Sequence, residues 1–425
     1  MAQARPCPYC GNNPVPHRIY WYNETLNILL TGIRQAILYN PASASLARRG
    51  WGRKFARVFL ALAEALRIIS RQKDINRCKV RRAQVLWEEA GKRDVEMQEL
   101  LLFGKPIDVY IARKKECPTG SQILFSGLPR PAGYSNRWLD LMDDKWLLKK
   151  KFLAQGLPVP AGGSACGMRA ALKIFSHIQK PAIVKPRAGS RGRHSTTFVF
   201  TPAELKSAFH IAQKLCHWVM VEEQLSGPVY RATVVDFKLA GVLRGDPPQI
   251  IGDGKRSLKE LIGEKNRQPH PGVKDIAADA ETERFIHRQI SNSKFRISKN
   301  SPIFPPAGEA GNLQSSRSPL DYVPPKGERV SLSEKIGVNY GGSSSEDFEI
   351  CHPENKELFV RAAKVLGDPL VGFDFIIPDI TRSYREQRCG FIEANTLPFI
   401  NLHHDPLLGA PRNVAAKVWD MVKKS

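Results

Sequence analysis

Apolar and polar positions alternate in short bursts along this chain, and two bursts near its C-terminal end set the reading. Val371-Gly372-Phe373-Asp374-Phe375-Ile376-Ile377 and Cys389-Gly390-Phe391-Ile392-Glu393-Ala394-Asn395 are β-favouring runs that predict strands. The segment Pro378 to Arg388 between them is polar and short enough for a hairpin connection. Side chains alternate between the faces of a strand, so antiparallel pairing predicts Asp374 facing Glu393 and Asn395. Upstream, Phe55, Val58, Phe59, Leu62, Leu66 and Ile69 recur at helical spacing, and residues 44–104 are expected to be helical. Strands are predicted over 107–112, 122–125, 182–186 and 219–223, with a hairpin from Tyr230 to Val242 around Lys238. A helix over 143–156 should end at Gly156. Ser257 and Glu260 form a capping-box pattern, and 353–366 reads as an amphipathic helix. Residues 266–330 are polar and broken by prolines, which predicts surface helix and a long loop. There is no internal repeat.

Composition bounds the class without deciding it. The chain has 425 residues, 42% hydrophobic and 25% charged, as expected of a soluble protein of two or three domains. No apolar run approaches the ~18 residues of a membrane span. No secretory signal follows Met1, so a cytoplasmic protein is expected. Of the 8 cysteines, Cys7 and Cys10 alone are closely paired. Cys7-Pro8-Tyr9-Cys10-Gly11 looks like one knuckle of a zinc ribbon, but a closed structural zinc site needs four ligands. His17, Cys78 and Cys117 are the nearby candidates.

Charge adds a partner class. The formal net charge is +23, which favours an anionic partner. From Arg48 to Arg82 only Glu64 and Asp74 oppose the basic residues. A helix there could meet nucleic acid, anionic lipid or an acidic partner, or pack on its own protein with a solvated basic face.

The candidate chemistry lies further along. Asp374, Glu393 and Asn395 would offer three hard oxygen ligands of the type Mg²⁺ accepts; the alternative is edge-strand charges on a solvated face. Lys185 closes a strand, and a small-residue basic loop, Arg187 to Thr196, follows it. Its glycines would let backbone N–H groups approach phosphate oxygens, although no P-loop motif occurs. No Ser/His/Asp or Cys/His signature argues for covalent catalysis. His403 is a substrate-orienting or a capping residue.

The elements occur in a telling order: Asp144-Lys145 with Gly156-Leu157-Pro158-Val159-Pro160, Val184-Lys185-Pro186, Val221-Glu222, and Pro247 to Gly254. Gly341-Gly342 with His352-Pro353, Gly372-Phe373-Asp374, Ile392-Glu393-Ala394-Asn395 and the tail from Leu402-His403 to Val414 follow. This ordered set resembles the ATP-grasp superfamily over roughly Leu139 to Val422. The likeness is greatest to the ATP-grasp domain of cyanophycin synthetase, with D-alanine–D-alanine ligase and bifunctional glutathione synthetase more distant.

The resemblance implies an α+β ATP-grasp fold whose two lobes, 139–222 and 223–425, clasp ATP, with 266–330 as a polar insertion. A basic, mainly helical region 1–104 and a strand-and-linker segment 105–138 would precede it. Lys145 and Lys185 would contact phosphates, with Gly189, Ser190 and Gly192 in the lid loop. Glu222 and Glu223 would lie at the adenine. Asp374, Glu393 and Asn395 match the positions that hold one or two Mg²⁺ ions. Arg231 and Arg244 match arginines near the phosphates and the reacting centre. Val229 stands where relatives carry a ribose-binding acid. The second, Mur-ligase-like domain of cyanophycin synthetase has no counterpart, so polymer synthesis by this chain alone is not expected.

The implied activity is an ATP-dependent carboxylate–amine ligase. It would join small amino-acid or peptide-like acids to amines through an acyl phosphate, releasing ADP and phosphate. The alternative is a nucleic-acid- or partner-binding protein on an ATP-grasp scaffold; the intact Lys145, Lys185, Asp374, Glu393 and Asn395 favour the enzyme. A homo-oligomer is left open.

Overall fold

A computed structural model describes residues 7, 9–10, 14–38, 62–114, 122–131, 142, 144–189, 192–267, 270–291 and 318–423, with side chains of 31–38, 288, 290 and 291 excepted. Helix α1 spans His17–Leu38. The helical pattern centred on Phe55 to Leu62 lies mostly outside the described residues, as do Cys117 and Ser190.

The region expected to be helical up to residue 104 instead contributes half of a sheet. Strands β1 (Ile69–Gln72), β2 (Val95–Leu102), β3 (Lys105–Lys114) and β4 (Ile123–Ser126) pair antiparallel in that order. One helix, α2 (Arg81–Gly91), connects β1 to β2. β2 is rich in helix formers (Glu96, Met97, Gln98, Glu99, Leu100), but propensity is a weak prior that tertiary pairing overrides. Phe103 and Gly104 both take positive φ in a two-residue turn, the geometry that matches the twist of paired strands. Residue 104 therefore lies in the turn of the β2–β3 hairpin.

Residues 145–223 build a smaller lobe. Helix α3 (Lys145–Ala154) leads through Leu157-Pro158-Val159-Pro160 into β5 (Gly162–Ala165), α4 (Met168–His177), β6 (Ala182–Pro186), β7 (Thr196–Val199), α5 (Pro202–Gln213) and β8 (Val219–Glu223). The strands pair in the order β5-β8-β6-β7. Helices α4 and α5 cover one face through Phe175, Leu205 and Phe209 against Val184, Val199 and Val221. Thr201 and Glu204 cap the start of α5 reciprocally.

The central sheet follows. Strands β9 (Val229–Val235) and β10 (Lys238–Asp246) turn at Asp236 and Phe237, both at φ 53°, so Lys238 opens β10 instead of standing in the turn. Next come β11 (Gln249–Ile251), α6 (Leu258–Arg267), α7 (Ala280–Ser291), β12 (Arg329–Ser331), β13 (Ser343–Glu346), α8 (Pro353–Leu366), β14 (Leu370–Ile376), β15 (Gly390–Asn395), α9 (Asn401–His404) and α10 (Val414–Lys423). The large sheet runs β13-β10-β9-β14-β15. Helices α3 and α8 pack on one face, where Phe152 and Phe359 meet Phe373, Phe375 and Phe391. The polar insertion closes on its own core, in which Ile250, Leu258, Ile276, Ile286 and Leu332 meet beside the β11–β12 pair.

One further core joins the ends of the chain. Leu86 of α2, Met97 and Tyr110 of the first sheet, Val235 and Leu370 of the central sheet, and Val418 and Trp419 of α10 bury each other. The Trp419 indole donates to the Leu86 carbonyl at 2.9 Å. No helix among the described residues is long and apolar enough to cross a membrane.

Candidate active site

The register of β14 and β15 places Asp374 opposite Glu393 and Gly372 opposite Asn395. Alternation then sets all three polar side chains on one face of the central sheet, away from the phenylalanine core. Asp374 is also the register partner of Arg231 on β9. The guanidinium meets its carboxylate through Nε at 3.0 Å and Nη2 at 3.4 Å, and lies over the Phe399 ring at 5.5 Å. Glu393 and Asn395 are half-buried and make no side-chain hydrogen bond among the described residues. Gly372 is required opposite them because a Cβ there would stand 2.9 Å from Pro398.

Arg244 does not join this group. It is the register partner of Tyr230, one place along from the Leu243–Arg231 pair, so the alternation turns it to the other face. There its Nε donates to Asp246 at 2.9 Å.

In the smaller lobe, Lys185 on β6 and Glu222 on β8 share a face. Glu222 is buried and held by two ammonium groups, Lys149 at 2.6 Å and Lys185 at 2.9 Å. Burial alone would raise the pKa of its carboxyl, but the two lysines outweigh burial and hold it at about 2. Lys149 lies one turn along α3 from Lys145, a spacing that was present in the sequence and missed. Lys145 itself is half-buried at the first position of α3 and has no ion pair among the described residues. Asp144 caps that helix through Trp146 N and Leu147 N, and also takes Nε and Nη2 of Arg187 at 2.8 and 2.6 Å. One carboxylate thus fixes both Lys145 and the base of the loop after β6, where Gly189 and Gly192 adopt positive φ.

β8 lies between β5 and β6, so both edges of Glu222 are paired. The Glu223 carboxylate accepts from Ala161 N at 2.7 Å and meets Arg388, which precedes β15. With Phe391 N donating to Pro158 O at 2.9 Å, this joins the smaller lobe to the β14–β15 hairpin.

His403 is fully buried over Gly241. Its Nδ1 lies 2.6 Å from Glu346 and its Nε2 2.8 Å from Thr233 Oγ1, so both nitrogens are engaged inside the protein. A second cluster gathers Cys7, Cys10, His17 and His194, whose ligand atoms all lie within 4.8 Å of one another. His194 belongs to the loop after β6. Burial pushes its pKa down to about 4, which keeps the ring neutral. Cys78 is elsewhere, buried beside Glu99 in the first sheet.

No family model matches the sequence. The cyanophycin synthetase of Trichormus variabilis is 28% identical over 285 residues, covering 67% of this chain and 29% of that protein. The glutathione biosynthesis bifunctional protein GshAB of Clostridium perfringens is 26% identical over 285 residues, covering 66% of this chain and 34% of its own. The chain therefore spans about a third of the length of these relatives. The bifunctional glutathione synthetase of Pasteurella multocida superposes with a TM-score of 0.52 at 23% identity, over 81% of this chain and 43% of that one. The chain is thus built on the ATP-grasp fold and is similar in sequence to cyanophycin synthetases and to bifunctional proteins of glutathione biosynthesis.

Proposed function

We propose that this chain is an ATP-dependent carboxylate–amine ligase working through an acyl phosphate. The observation that carries the reading is the meeting of Asp374, Glu393, Asn395 and Arg231 on one face of the central sheet. In this reading residues 139–222 and 223–425 are the two clasping lobes.

The donor set fits Mg²⁺, since it offers hard oxygens and two of the three side chains have no other hydrogen bond among the described residues. One or two Mg²⁺ ions there would supply charge neutralisation at the transferring phosphoryl group. Lys145 and Lys185 bind phosphate oxygens, and the loop carrying Gly189, Ser190 and Gly192 closes over them. With Glu222 committed to lysines, the backbone beyond β8 is the better contact for the base. Arg231 is the arginine on the metal face and orients the acid; Arg244 takes part only if it leaves Asp246.

An oxygen of the substrate carboxylate attacks the γ-phosphorus, the β–γ bridging P–O bond breaks, and ADP departs. The amine nitrogen then attacks the acyl carbon, the C–O bond to phosphate breaks, phosphate leaves, and the amine proton passes to solvent. The relatives' names favour an acid and an amine of amino-acid or peptide type.

The test is a screen for ADP release across amino acids and short peptides, with hydroxylamine added to trap the activated acid as a hydroxamate. ADP formation that needs the acid, and hydroxamate formation, are expected. Stoichiometric AMP, or no nucleotide turnover with any acid, would overturn the reading.

A further inference from the structure

The geometry points to a closed Zn²⁺ site formed by Cys7, Cys10, His17 and His194, which clamps the N-terminal segment onto the loop after β6. The site stands on its own residues; only its effect on nucleotide binding rests on the ligase reading.

The distances are close to those of a tetrahedral centre. Cys10 Sγ lies 3.1 Å from His17 Nε2 and 3.4 Å from His194 Nε2, and Cys7 Sγ lies 3.5 Å from His194 Nε2. Zn–S of about 2.3 Å and Zn–N of about 2.0–2.1 Å at tetrahedral angles give S···N of roughly 3.6 Å. Thiol hydrogen bonds do not explain the same set. Cys10 Sγ could donate to one imidazole and accept from the other, but the one lone pair of His194 Nε2 faces two sulfurs.

The outer contacts agree. His194 Nδ1 lies 2.8 Å from the Ile211 carbonyl, so that nitrogen carries the proton and Nε2 turns its lone pair toward both sulfurs. Cys10 N donates to Cys7 O at 3.2 Å in the knuckle turn, and His194 N donates to Tyr9 O at 3.0 Å. Two thiolates with two imidazoles select Zn²⁺ among common divalent ions.

The N-terminal segment also needs a fastener. Among the described side chains of residues 7–30, Cys10 is the only buried one, and Ile19, Tyr22, Leu26 and Leu29 are exposed. Helix α1 has no core of its own there, a situation in which small modules rely on metals. Its contacts go instead to the loop and its neighbours: the Tyr20 hydroxyl donates to Gly189 O, and His217 N donates to Thr25 Oγ1 at 3.3 Å. Both ends of the phosphate loop, Gly189 and His194, are therefore held by the segment that the metal anchors.

The full chain, purified without added chelator, is expected to carry about one zinc per polypeptide by mass spectrometry of the metal. Cobalt reconstitution should give thiolate-to-cobalt charge-transfer absorption and tetrahedral visible bands. Cys10→Ser and His17→Ala should lose the metal, whereas His17→Cys should keep it. Metal removal should also weaken ATP binding by about tenfold or more, if the loop contacts phosphate. A zinc-free protein that gives no cobalt–thiolate band, or a Cys7–Cys10 disulfide by thiol titration, would overturn the site. Stoichiometric zinc with unchanged ATP affinity on its removal would overturn the clamp. The metal readouts involve no turnover, so they are unaffected if the ligase reading fails.

Discussion

Lys149→Met tests the buried triad beneath the candidate phosphate site. Glu222 is buried with a pKa of about 2, against roughly 4.3 in an unfolded chain. A shift of that size stabilises the fold by on the order of 3 kcal/mol at neutral pH. Lys149 at 2.6 Å and Lys185 at 2.9 Å divide that contribution, and methionine keeps the shape of Lys149 while removing its charge. Losing one partner should raise the Glu222 pKa and remove about half of the stabilisation. It also leaves one buried carboxylate oxygen without a donor, a penalty of ~1–3 kcal/mol that the relieved desolvation of the ammonium partly offsets. The expected loss is about 2 kcal/mol at pH 7. The sign follows from the depressed pKa: the contribution is present above about pH 4.3 and is lost as pH falls toward 2. Urea midpoints of both proteins at pH 7, 5 and 3 are the assay. The gap should be wide at pH 7 and 5 and smaller at pH 3, within about one pH unit of the folded-state pKa. A variant as stable as the parent at pH 7, or a gap that does not change with pH, would refute the reasoning.

Further outcomes follow from other parts of the site. Glu393→Gln is nearly isosteric and should fold normally while turnover falls by ~10²-fold or more, so near-normal turnover at saturating Mg²⁺ would remove it from the metal site. Lys145→Ala should raise the ATP dissociation constant ~10-fold or more with little change in stability, by calorimetry, because its side chain has no partner among the described residues. Gly241→Ala should destabilise the fold, since its Cβ would stand 2.4 Å from His403 Nδ1; an unchanged melting temperature would contradict the fixed position of that ring. A chain beginning at Gly104 should be insoluble, because it loses α2 and Met97 of β2 from the core that holds Trp419; a soluble ATP-binding product would show that core to be dispensable.

The β14–β15 hairpin was legible because its information is local. The strands over 371–377 and 389–395 flank a short connection, and period-two alternation puts Asp374, Glu393 and Asn395 together whatever the rest of the chain does. The same rule, given the true register, separates Arg231 from Arg244, and the register of β9 and β10 could not be read from sequence. The strands over 107–112 and 122–125 were legible, but the other half of the first sheet was not, because the residues of β2 favour helix when isolated and become a strand only against β3. His194 was overlooked beside Cys7 and Cys10 for a simpler reason: it is 184 positions from Cys10, and local spacing carries no information at that distance.

The triad also bears on nucleotide binding, through charge. Lys185 lies at 2.9 Å from Glu222, which at first sight leaves it no charge to offer a phosphate. Lys149 removes that difficulty. The three groups together carry one net positive charge, two ammonium ions against one carboxylate, and Lys149 is the closer partner of Glu222. Lys185 also has three donors and needs only one for the carboxylate. Lys149 therefore neutralises Glu222 and leaves Lys185 available. In Lys149→Met the pair Lys185–Glu222 is neutral, and ATP should bind more weakly even though residue 149 touches no phosphate in this reading. Adding Glu222→Gln restores the net positive charge, so the double variant should recover affinity that the single variant loses. Equal ATP affinity in the parent and Lys149→Met, measured by calorimetry at low ionic strength, would mean that Lys185 does not meet the phosphates.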